Sequence, residues 1–238
     1  MTDLGAQTWP EVAAALDAAE VWLAVPLGST EQHGPHLPLS TDTTIAVALA
    51  ERLAGLMPGR IVVAPAIPYG SSGEHAGFPG TLSIGQDALE AVVVELVRSA
   101  DAFAGVVLVS GHGGNAAPIA RAAALLEGEG RSVLVWSPRL AAPHDAHAGR
   151  TETSLVFAVD PGAVRTGALA SGNTDPIADL LPALVSGGVR AVSPNGVLGD
   201  PVGASVYEGE RLLDALTADL LAATLSKFGH LASESAGR

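Results

Sequence analysis

Two short loops carry most of the side chains in this sequence that could bind a metal ion. Residues 31–36 (EQHGPH) run on to Asp42, and residues 111–115 read GHGGN. Each loop follows an apolar run typical of a buried strand, so its acids and imidazoles should lie at strand ends, where open α/β sheets place their active sites. Glu31 and His33 are two residues apart on chain expected to be extended, so both side chains should converge on one metal centre.

A larger set of acids and imidazoles could hold a pair of divalent ions. A dinuclear hydrolase needs about three protein ligands for each ion, a bridging carboxylate, and a water between the ions whose pKa falls towards neutrality. Asp42 is favoured as the bridge, because it is expected in the first turn of a helix, facing the positive end of the helix dipole. The candidate metal ligands are Glu31, His33, Asp42, His112 and Glu152.

Further residues, most of them in other loops, are candidates for catalysis or substrate binding. His147 lies five residues before Glu152, and we expect it to act as general base or acid beside a scissile bond, with Glu152 as the second catalytic candidate. Six of the seven histidines fall in Gly/Pro-rich loops, and His230 falls in the C-terminal tail. The candidates for a substrate pocket are His36, Glu74, His75, Phe78 and Asn115.

Each candidate also has an ordinary structural explanation. A histidine in a Gly-rich loop is usually only hydrogen-bonded, Asp42 alone could be a helix N-terminal charge, and Glu152 alone could be a solvated helix acid. Residues 111–115 could instead cradle a phosphate on backbone N–H groups, although the dinucleotide fingerprint and the lysine of a nucleoside-triphosphate loop are absent. Only the joint occurrence of acids and imidazoles over four strand-end loops indicates metal ligands.

The composition disfavours two classes of partner and limits the kinds of atom that could bind a metal. The chain of 238 residues has 12 basic and 25 acidic side chains, and the net charge of −13 disfavours nucleic acid and anionic membranes as partners. It contains no cysteine, so any metal must be held by nitrogen and oxygen, which suit zinc, iron(II) and manganese. Because no signal peptide or membrane-spanning run is recognisable, we expect a cytoplasmic protein.

Alternating strand and helix patterns indicate the elements that position these loops. The alternation predicts a three-layer α/β/α sandwich with a mainly parallel sheet, in a single domain over residues 1–238. The loop 69–81 is long enough to suggest a functional role, and the irregular residues 160–205 suggest an interface, a substrate-covering segment or a surface excursion. Strands are predicted at 21–25, 61–67, 106–110 and 131–136, and helices at 11–20, 42–57, 86–103, 116–127, 151–159, 177–185 and 207–228.

The loop motifs resemble those of the creatininase family. Residues 28–38 (GSTEQHGPHLP) with Asp42 resemble its opening signature, and FPGT at 78–81, GHGGN at 111–115 and the HAG and ETS segments between 147 and 154 resemble later motifs. The resemblance implies a three-layer α/β/α fold, a homo-oligomer that is commonly a hexamer, and a two-metal site that hydrolyses C–N bonds of amides, cyclic amides or formamides.

The same resemblance implies a division of the ligands between two ions. It makes Glu31, Asp42 and His112 ligands of one ion, and His33, Asp42 and a further acid ligands of the other. In creatinine amidohydrolase that acid lies two residues after the histidine of the third-strand loop, but this chain has Gly114 there. Glu152 is the replacement we expect, and the departure disfavours creatinine as the substrate.

Three hypotheses about function follow. Residues 69–75, 172–175 and 196–201 resemble most the mycofactocin-system branch, whose members are peptidases that release a modified C-terminal Val-Tyr-derived dipeptide from a precursor peptide. The first hypothesis is this metal-dependent peptidase, and the second is hydrolysis of creatinine or a formamido-pyrimidine. The third is a non-catalytic α/β module that binds a nucleotide or a partner, which a metal analysis would distinguish.

Overall fold

The computed structural model describes residues 3–138 and 144–229, so His230 lies outside the described residues. Within these ranges no helix is long and apolar enough to cross a membrane. The strands are β1 (Trp22–Leu27), β2 (Ile61–Val63), β3 (Gly105–Ser110) and β4 (Val133–Trp136). The helices are α1 (Trp9–Ala18), α2 (Thr41–Leu56), α3 (Gln86–Ser99), α4 (Ala116–Gly128), α5 (Arg150–Val159), α6 (Ile177–Gly187), α7 (Val189–Val192) and α8 (Val206–Phe228).

The four strands form one parallel sheet in the order β2-β1-β3-β4. Residues of β1 alternate between two apolar cores, because successive side chains of a strand point to opposite faces. Trp22 and Ala24 pack with α2, α5 and α8, whereas Leu23 and Val25 pack with α3 and α4. Helices therefore cover both faces, and the predicted three-layer α/β/α sandwich with a parallel sheet is confirmed.

Two strands end at a residue different from the one that the sequence predicts, and proline explains both differences. β1 does not stop before Pro26 but continues to Leu27, since the missing N–H of Pro26 faces the side on which β2 has already ended at Val63. β2 does not reach Ile67, because Pro65 interrupts it. Ile67 makes only an isolated bridge to Leu27.

One helix is also shorter than predicted. Helix α3 ends at Ser99 and not at residue 103, because the chain turns there to enter β3. Phe103 donates its N–H to the carbonyl of Ala100, and Ala104 donates to the carbonyl of Val21 at the start of the sheet. The remaining predicted helices agree with the structure to within about two residues, the usual uncertainty of a helix end.

Strands β1 and β3 end at the same edge of the sheet, and glycines let the next elements approach closely. The N–H of Gly111 donates to the carbonyl of Leu27 at 2.8 Å. A side chain at Gly28 would collide with the backbone of Thr43, so the first turn of α2 packs directly against the end of β1. This close approach brings the helix that carries Asp42 to the loop that follows β3.

Candidate metal centre

Asp42 lies between two histidines, in the first turn of α2 as the sequence predicts. Its Oδ1 atom is 3.0 Å from Nε2 of His33, and its Oδ2 atom is 3.2 Å from Nδ1 of His112. Oδ2 also accepts a hydrogen bond of 2.7 Å from the hydroxyl of Ser29. The two oxygens of one carboxylate therefore face two different imidazoles, which is the geometry that a bridging ligand requires.

Among residues 3–138 and 144–229, three overlapping groups of side chains have the spacing of metal ligands. In each group, one potential ligand atom from every residue lies within 4.8 Å of the others. The sequence predicts that Glu31 and His33 converge on one metal centre. They share one group with His147, but each also belongs to a different one of the two groups that contain Asp42. The groups are Glu31, Asp42 and His112; His33, Asp42 and Glu152; and Glu31, His33 and His147.

His33 presents one ring nitrogen to the centre and uses the other as an anchor. Its Nδ1 atom donates a hydrogen bond to the backbone carbonyl of Glu31 at 3.2 Å. Its Nε2 atom faces Oδ1 of Asp42 and lies 3.9 Å from Oε2 of Glu152. Metal-binding histidines are commonly oriented in this way, with the distal N–H held by a carbonyl.

Glu31 is a fully buried carboxylate whose oxygens lack satisfactory partners. Neither oxygen has a hydrogen-bond partner among the described residues, although His75 Nε2 and His112 Nε2 each approach one of them to 3.2 Å. Burial and the neighbouring charge of Asp42 raise the pKa of Glu31 to about 7. Because a buried unpaired carboxylate is costly, this environment fits a carboxylate that is completed by a bound cation.

Glu152 is held in the second group by a strained loop. Its Oε2 atom accepts a hydrogen bond of 2.6 Å from the N–H of Ala148, a buried residue with φ of +52°, which is rare for a residue with a side chain. Asp145 supports the same loop by accepting the N–H of Thr151 at 2.8 Å. Burial raises the pKa of Glu152 to about 7.

The buried acids strongly favour the charged forms of two histidines. Burial by itself lowers the pKa of His33, but the charge and hydrogen bond of Asp42 more than offset this and raise it to about 10. His112 is likewise disfavoured by burial, yet Asp42 and Glu31 raise its pKa to about 9. Without metal, protons therefore neutralise part of this acidic cluster, and an ion that binds there must displace them.

Gln32 orients two further histidines, a role that the sequence did not reveal. Its Oε1 atom accepts the N–H of Gly34, so its amide group donates to Nδ1 of His75 at 2.9 Å. His147 donates from Nε2 to the backbone carbonyl of Gln32 at 2.8 Å. The Nδ1 atom of His147 is thereby left as the acceptor, 3.9 Å from Oε1 of Glu31. The position of Gln32 in the sequence, between the candidate ligands Glu31 and His33, was a signal that could have indicated this role.

These two histidines are neutral at neutral pH. Burial lowers the pKa of His147 well below its ordinary value, and the positive charge of His33 adds to the effect. Burial and the charge of His33 lower the pKa of His75 to about 3. His147 is thus a neutral imidazole with a free lone pair beside the ligand groups, as a proton acceptor must be.

The structure explains why position 114 carries no carboxylate. A side chain on Gly114 would collide with the carbonyl of Ser71 and with the ring of His112, and its Cβ would lie 2.6 Å from Oε1 of Glu74. A side chain at the neighbouring Gly113 would meet nothing within 4 Å. The loop after β2 therefore occupies the volume that a side chain at 114 would need, and Glu74 brings its own carboxylate to within 3.6 Å of His112 Nε2.

A cavity of about 490 Å³ opens beside the ligand groups. Of the substrate-pocket candidates, Glu74 and His75 line this cavity. His36, Phe78 and Asn115 are not among its lining residues. The helix predicted near residues 177–185 supplies much of the opposite wall, so part of the irregular segment 160–205 covers the candidate site.

The three candidates outside the cavity have structural contacts. His36 is buried with Nε2 2.9 Å from the hydroxyl of Thr153 on α5. Phe78 packs with Leu180 in a small apolar cluster. Asn115 occupies the N-cap position of α4 but makes no capping bond; its amide accepts the N–H of Ser71 and donates to the carbonyl of Gly28. Asn115 thus connects the loops that follow β1, β2 and β3.

The comparison with protein families agrees with this geometry. A family model described as "Creatininase: Creatinine amidohydrolase" matches residues 5–224, most of the chain. The chain belongs to the creatininase family. Membership of this family makes it a hydrolase of amide bonds, so the non-catalytic alternative is excluded.

Individual relatives refine the position of the chain within the creatininase family. The mycofactocin precursor peptide peptidase of Mycolicibacterium smegmatis is 53% identical over 193 residues, which cover 79% of this chain and 78% of that protein. The protein of the same description from Mycobacterium ulcerans is 47% identical over 89% of this chain and 83% of its own length. A solved structure described as "Creatininase Mn" superimposes with a TM-score of 0.78 at 26% identity, covering 95% of this chain and 98% of that chain.

Proposed function

We propose that this protein is a metal-dependent peptidase that cleaves a modified mycofactocin precursor peptide and releases its C-terminal Val-Tyr-derived dipeptide. The observation that carries the proposal is the position of Asp42, whose two oxygens face His33 and His112 in different ligand groups. The peptidase descriptions of the relatives at 53% and 47% identity support a peptide as the substrate. In this proposal residues 1–238 act as a single amidohydrolase domain.

We assign two divalent ions to the subunit. Glu31, Asp42 and His112 would hold one, and His33, Asp42 and Glu152 would hold the other. The donors are imidazole nitrogens and carboxylate oxygens, which suit zinc, iron(II) and manganese alike, and the unsatisfied oxygens of Glu31 fit a cation. When bound, such ions polarise an amide carbonyl and lower the pKa of a water, so that it becomes nucleophilic near neutral pH.

We assign proton transfer to His147. Its Nε2 proton is retained by the carbonyl of Gln32, so Nδ1 accepts a proton while the amide is attacked and returns it to the leaving amine nitrogen. Gln32 keeps this tautomer in place, because its backbone carbonyl can only accept a hydrogen bond. Glu152 acts as a ligand, fixed by the N–H of Ala148.

The size of the cavity supports a peptide over a small cyclic amide. A volume of about 490 Å³ falls within the range of roughly 300–1,000 Å³ that is typical of sites for larger organic ligands. A single five-membered ring such as creatinine would leave most of this space empty. Gly114, where creatinine amidohydrolase is expected to have an acid, also disfavours creatinine.

The direct test is cleavage of synthetic modified precursor peptide by protein reconstituted with zinc, iron(II) or manganese. Mass spectrometry should detect the released dipeptide, and creatinine and a formamido-pyrimidine should not be hydrolysed at a comparable rate. Glu31→Gln should abolish cleavage, whereas Glu51→Gln, at an exposed position of α2, should not. Hydrolysis of the small compounds with intact peptide would contradict the proposal.

We also propose that the protein is a homo-oligomer, as the family resemblance implies, with a hexamer as the expected form. Exposed apolar side chains lie on two loops that are hydrogen-bonded to each other near the cavity, which supports an interface there: Leu39, Tyr69, Leu82 and Ile84. Light scattering of the purified protein would determine the number of subunits. The cytoplasmic location stays a prediction from the sequence.

A further inference from the structure

Part of the lining of the cavity is apolar and belongs to α6. Ile177, Leu181, Leu184 and Val185 form this part. Their spacing places them on one face of the helix, because residues three, four, seven and eight apart share a side. The floor of the cavity is formed by carboxylates and imidazoles. A ligand that fills this space therefore meets both polar groups and aliphatic carbon.

Two of these side chains are largely exposed. Leu181 and Val185 are 54% and 84% exposed and are not members of the apolar cluster behind α6, which contains Leu180 and receives Ile177 and Leu184. Two branched aliphatic side chains one helical turn apart thus leave their surface open towards the cavity. Burying such surface against a ligand would stabilise the complex, by the same transfer of apolar area from water that drives folding.

The chain that follows α6 packs closely against the segments that carry Glu74 and His147. Gly188, at the end of α6, has φ of +71° and no room for a side chain, since a Cβ would lie 2.7 Å from the carbonyl of Glu74. Arg190 on α7 donates to the carbonyl of Gly77 at 2.6 Å. Leu198 lines the cavity and donates its N–H to the carbonyl of His147 at 2.8 Å. The apolar wall is therefore attached to the segments that carry Glu74 and His147.

We propose that Leu181 and Val185 are specificity-determining residues, which receive an apolar side chain of the substrate residue next to the scissile amide. This assignment rests on the proposed peptidase function. Charged or small side chains are disfavoured at this position, because the wall offers them neither a hydrogen bond nor contact area. A wall of this kind selects by contact area, and each lost hydrophobic contact changes selectivity by about tenfold or more.

The test separates recognition from cleavage by using two metal-binding probes. Isothermal titration calorimetry would compare an N-acyl leucine hydroxamate with acetohydroxamate, which lacks the side chain, on metal-loaded protein. The wild type should bind the leucine compound about tenfold or more tightly than acetohydroxamate. Leu181→Glu and the double change to alanine at 181 and 185 should remove this preference while leaving the affinity for acetohydroxamate and the metal content unchanged.

Leu56 provides a matched control, because it is 55% exposed, close to the value of Leu181, but lies at the end of α2 away from this cavity. Leu56→Glu should keep the preference of the wild type. An equal preference in Leu181→Glu and Leu56→Glu, or no preference in the wild type, would overturn the assignment. Absence of binding by both hydroxamates would overturn it together with the metal centre.

Cleavage kinetics with peptides would test the specificity assignment separately from the proposed peptidase function. Peptides varied from leucine to serine on either side of the scissile bond should show a selectivity that Leu181→Glu reduces by about tenfold or more, through KM more than kcat. A wild type that prefers the leucine hydroxamate but cleaves no peptide would refute the peptidase function and preserve the apolar recognition site. Cleavage without any dependence on residues 181 and 185 would refute only the specificity assignment.

Discussion

The Nε2 atom of His33 lies 3.0 Å from Oδ1 of Asp42, although the imidazole and the carboxylate come from different elements. His33 belongs to the loop after β1, and Asp42 belongs to the first turn of α2. The second oxygen of Asp42 faces His112, from the loop after β3. One carboxylate thus connects three segments of the chain around the candidate metal centre.

Replacing Asp42 by asparagine should disrupt both ligand groups at once. The amide keeps the shape of the side chain but removes the negative charge that two ions would share. We expect loss of bound metal and a fall in activity of more than about 100-fold. This is a larger effect than the roughly 10- to 100-fold loss that is usual when a residue that only orients a metal ligand is replaced. Elemental analysis and peptide cleavage would measure both. Asp87→Asn, an exposed acid in the first turn of α3, is the control and should retain metal.

The apparent affinity for metal should rise with pH. In the metal-free protein the pKa of His33 is about 10 and that of His112 about 9, so both imidazoles are protonated at neutral pH. A metal ion must displace these protons. For each proton displaced, the apparent affinity should rise by up to about tenfold with every pH unit, as long as the pH lies below the pKa of that histidine. Titrations between pH 6 and 8 in buffers of different ionisation enthalpy would measure the proton release. Affinity independent of pH would contradict this ligand assignment.

His147→Ala should impair catalysis without removing metal. The variant loses the proton acceptor at Nδ1, and general acid–base groups typically contribute about 10²–10⁴-fold to the rate. We therefore expect kcat to fall by that factor while the metal content is preserved. His144→Ala is the matched control, because His144 is exposed and its Nδ1 atom donates to the carbonyl of Thr174. Loss of metal in His147→Ala would instead make this histidine a ligand together with Glu31 and His33.

Gly114→Ala and Gly113→Ala form a pair of neighbouring substitutions with opposite expected outcomes. The alanine methyl at 114 would collide with the carbonyl of Ser71 and the ring of His112, whereas the methyl at 113 meets nothing within 4 Å. We expect Gly114→Ala to lower the free energy of unfolding by about 1–3 kcal/mol, as overpacking does, and to weaken metal binding. Denaturant unfolding and metal titration would show whether Gly113→Ala is the milder change, and equal effects would contradict the steric account.

Removal of metal should lower the thermal stability of the protein. An ion that binds only the folded chain stabilises it, by about 2.7 kcal/mol when its free concentration is 100 times its Kd. Without it, Glu31 remains a buried carboxylate with unsatisfied oxygens. Calorimetry with and without a chelator should therefore show a lower Tm in the chelated sample, and re-addition of zinc or manganese should restore it. An unchanged Tm would argue against a structural contribution from bound metal.

Much of the fold could be predicted because its signals are local. Apolar runs ended by glycine indicated β1 and β3, and helical spacing of Ile45, Leu49 and Leu53 indicated α2. The predictions from sequence were wrong where a neighbouring segment of the fold determines the local structure. Pro26 is tolerated inside β1 only because β2 ends beside it. Asn115 occupies the N-cap position of α4 without making a capping bond, because its amide contacts Gly28 and Ser71 instead.

Other features of the candidate site could not be predicted from local patterns. Gln32 contacts the carbonyl of Gly196, 164 residues away, and so connects the first loop to the segment that leads to Leu198. The apolar pattern of α6 indicated a helix but not that its open face lies across a cavity from Asp42. Such contacts depend on how distant elements pack, and no spacing along the chain encodes them.

The sequence by itself determined the chemistry available to this protein: imidazole and carboxylate donors without thiolate, placed at the ends of strands in a parallel α/β fold. Ligand type and strand-end position are properties of single residues and short segments, so they can be inferred locally. The tertiary structure alone decided that the two oxygens of Asp42 face different histidines, that Gly114 has no room for a side chain, and that α6 forms the apolar wall. These are distances between elements far apart in the chain, and they are fixed only when the cores on both faces of the sheet pack.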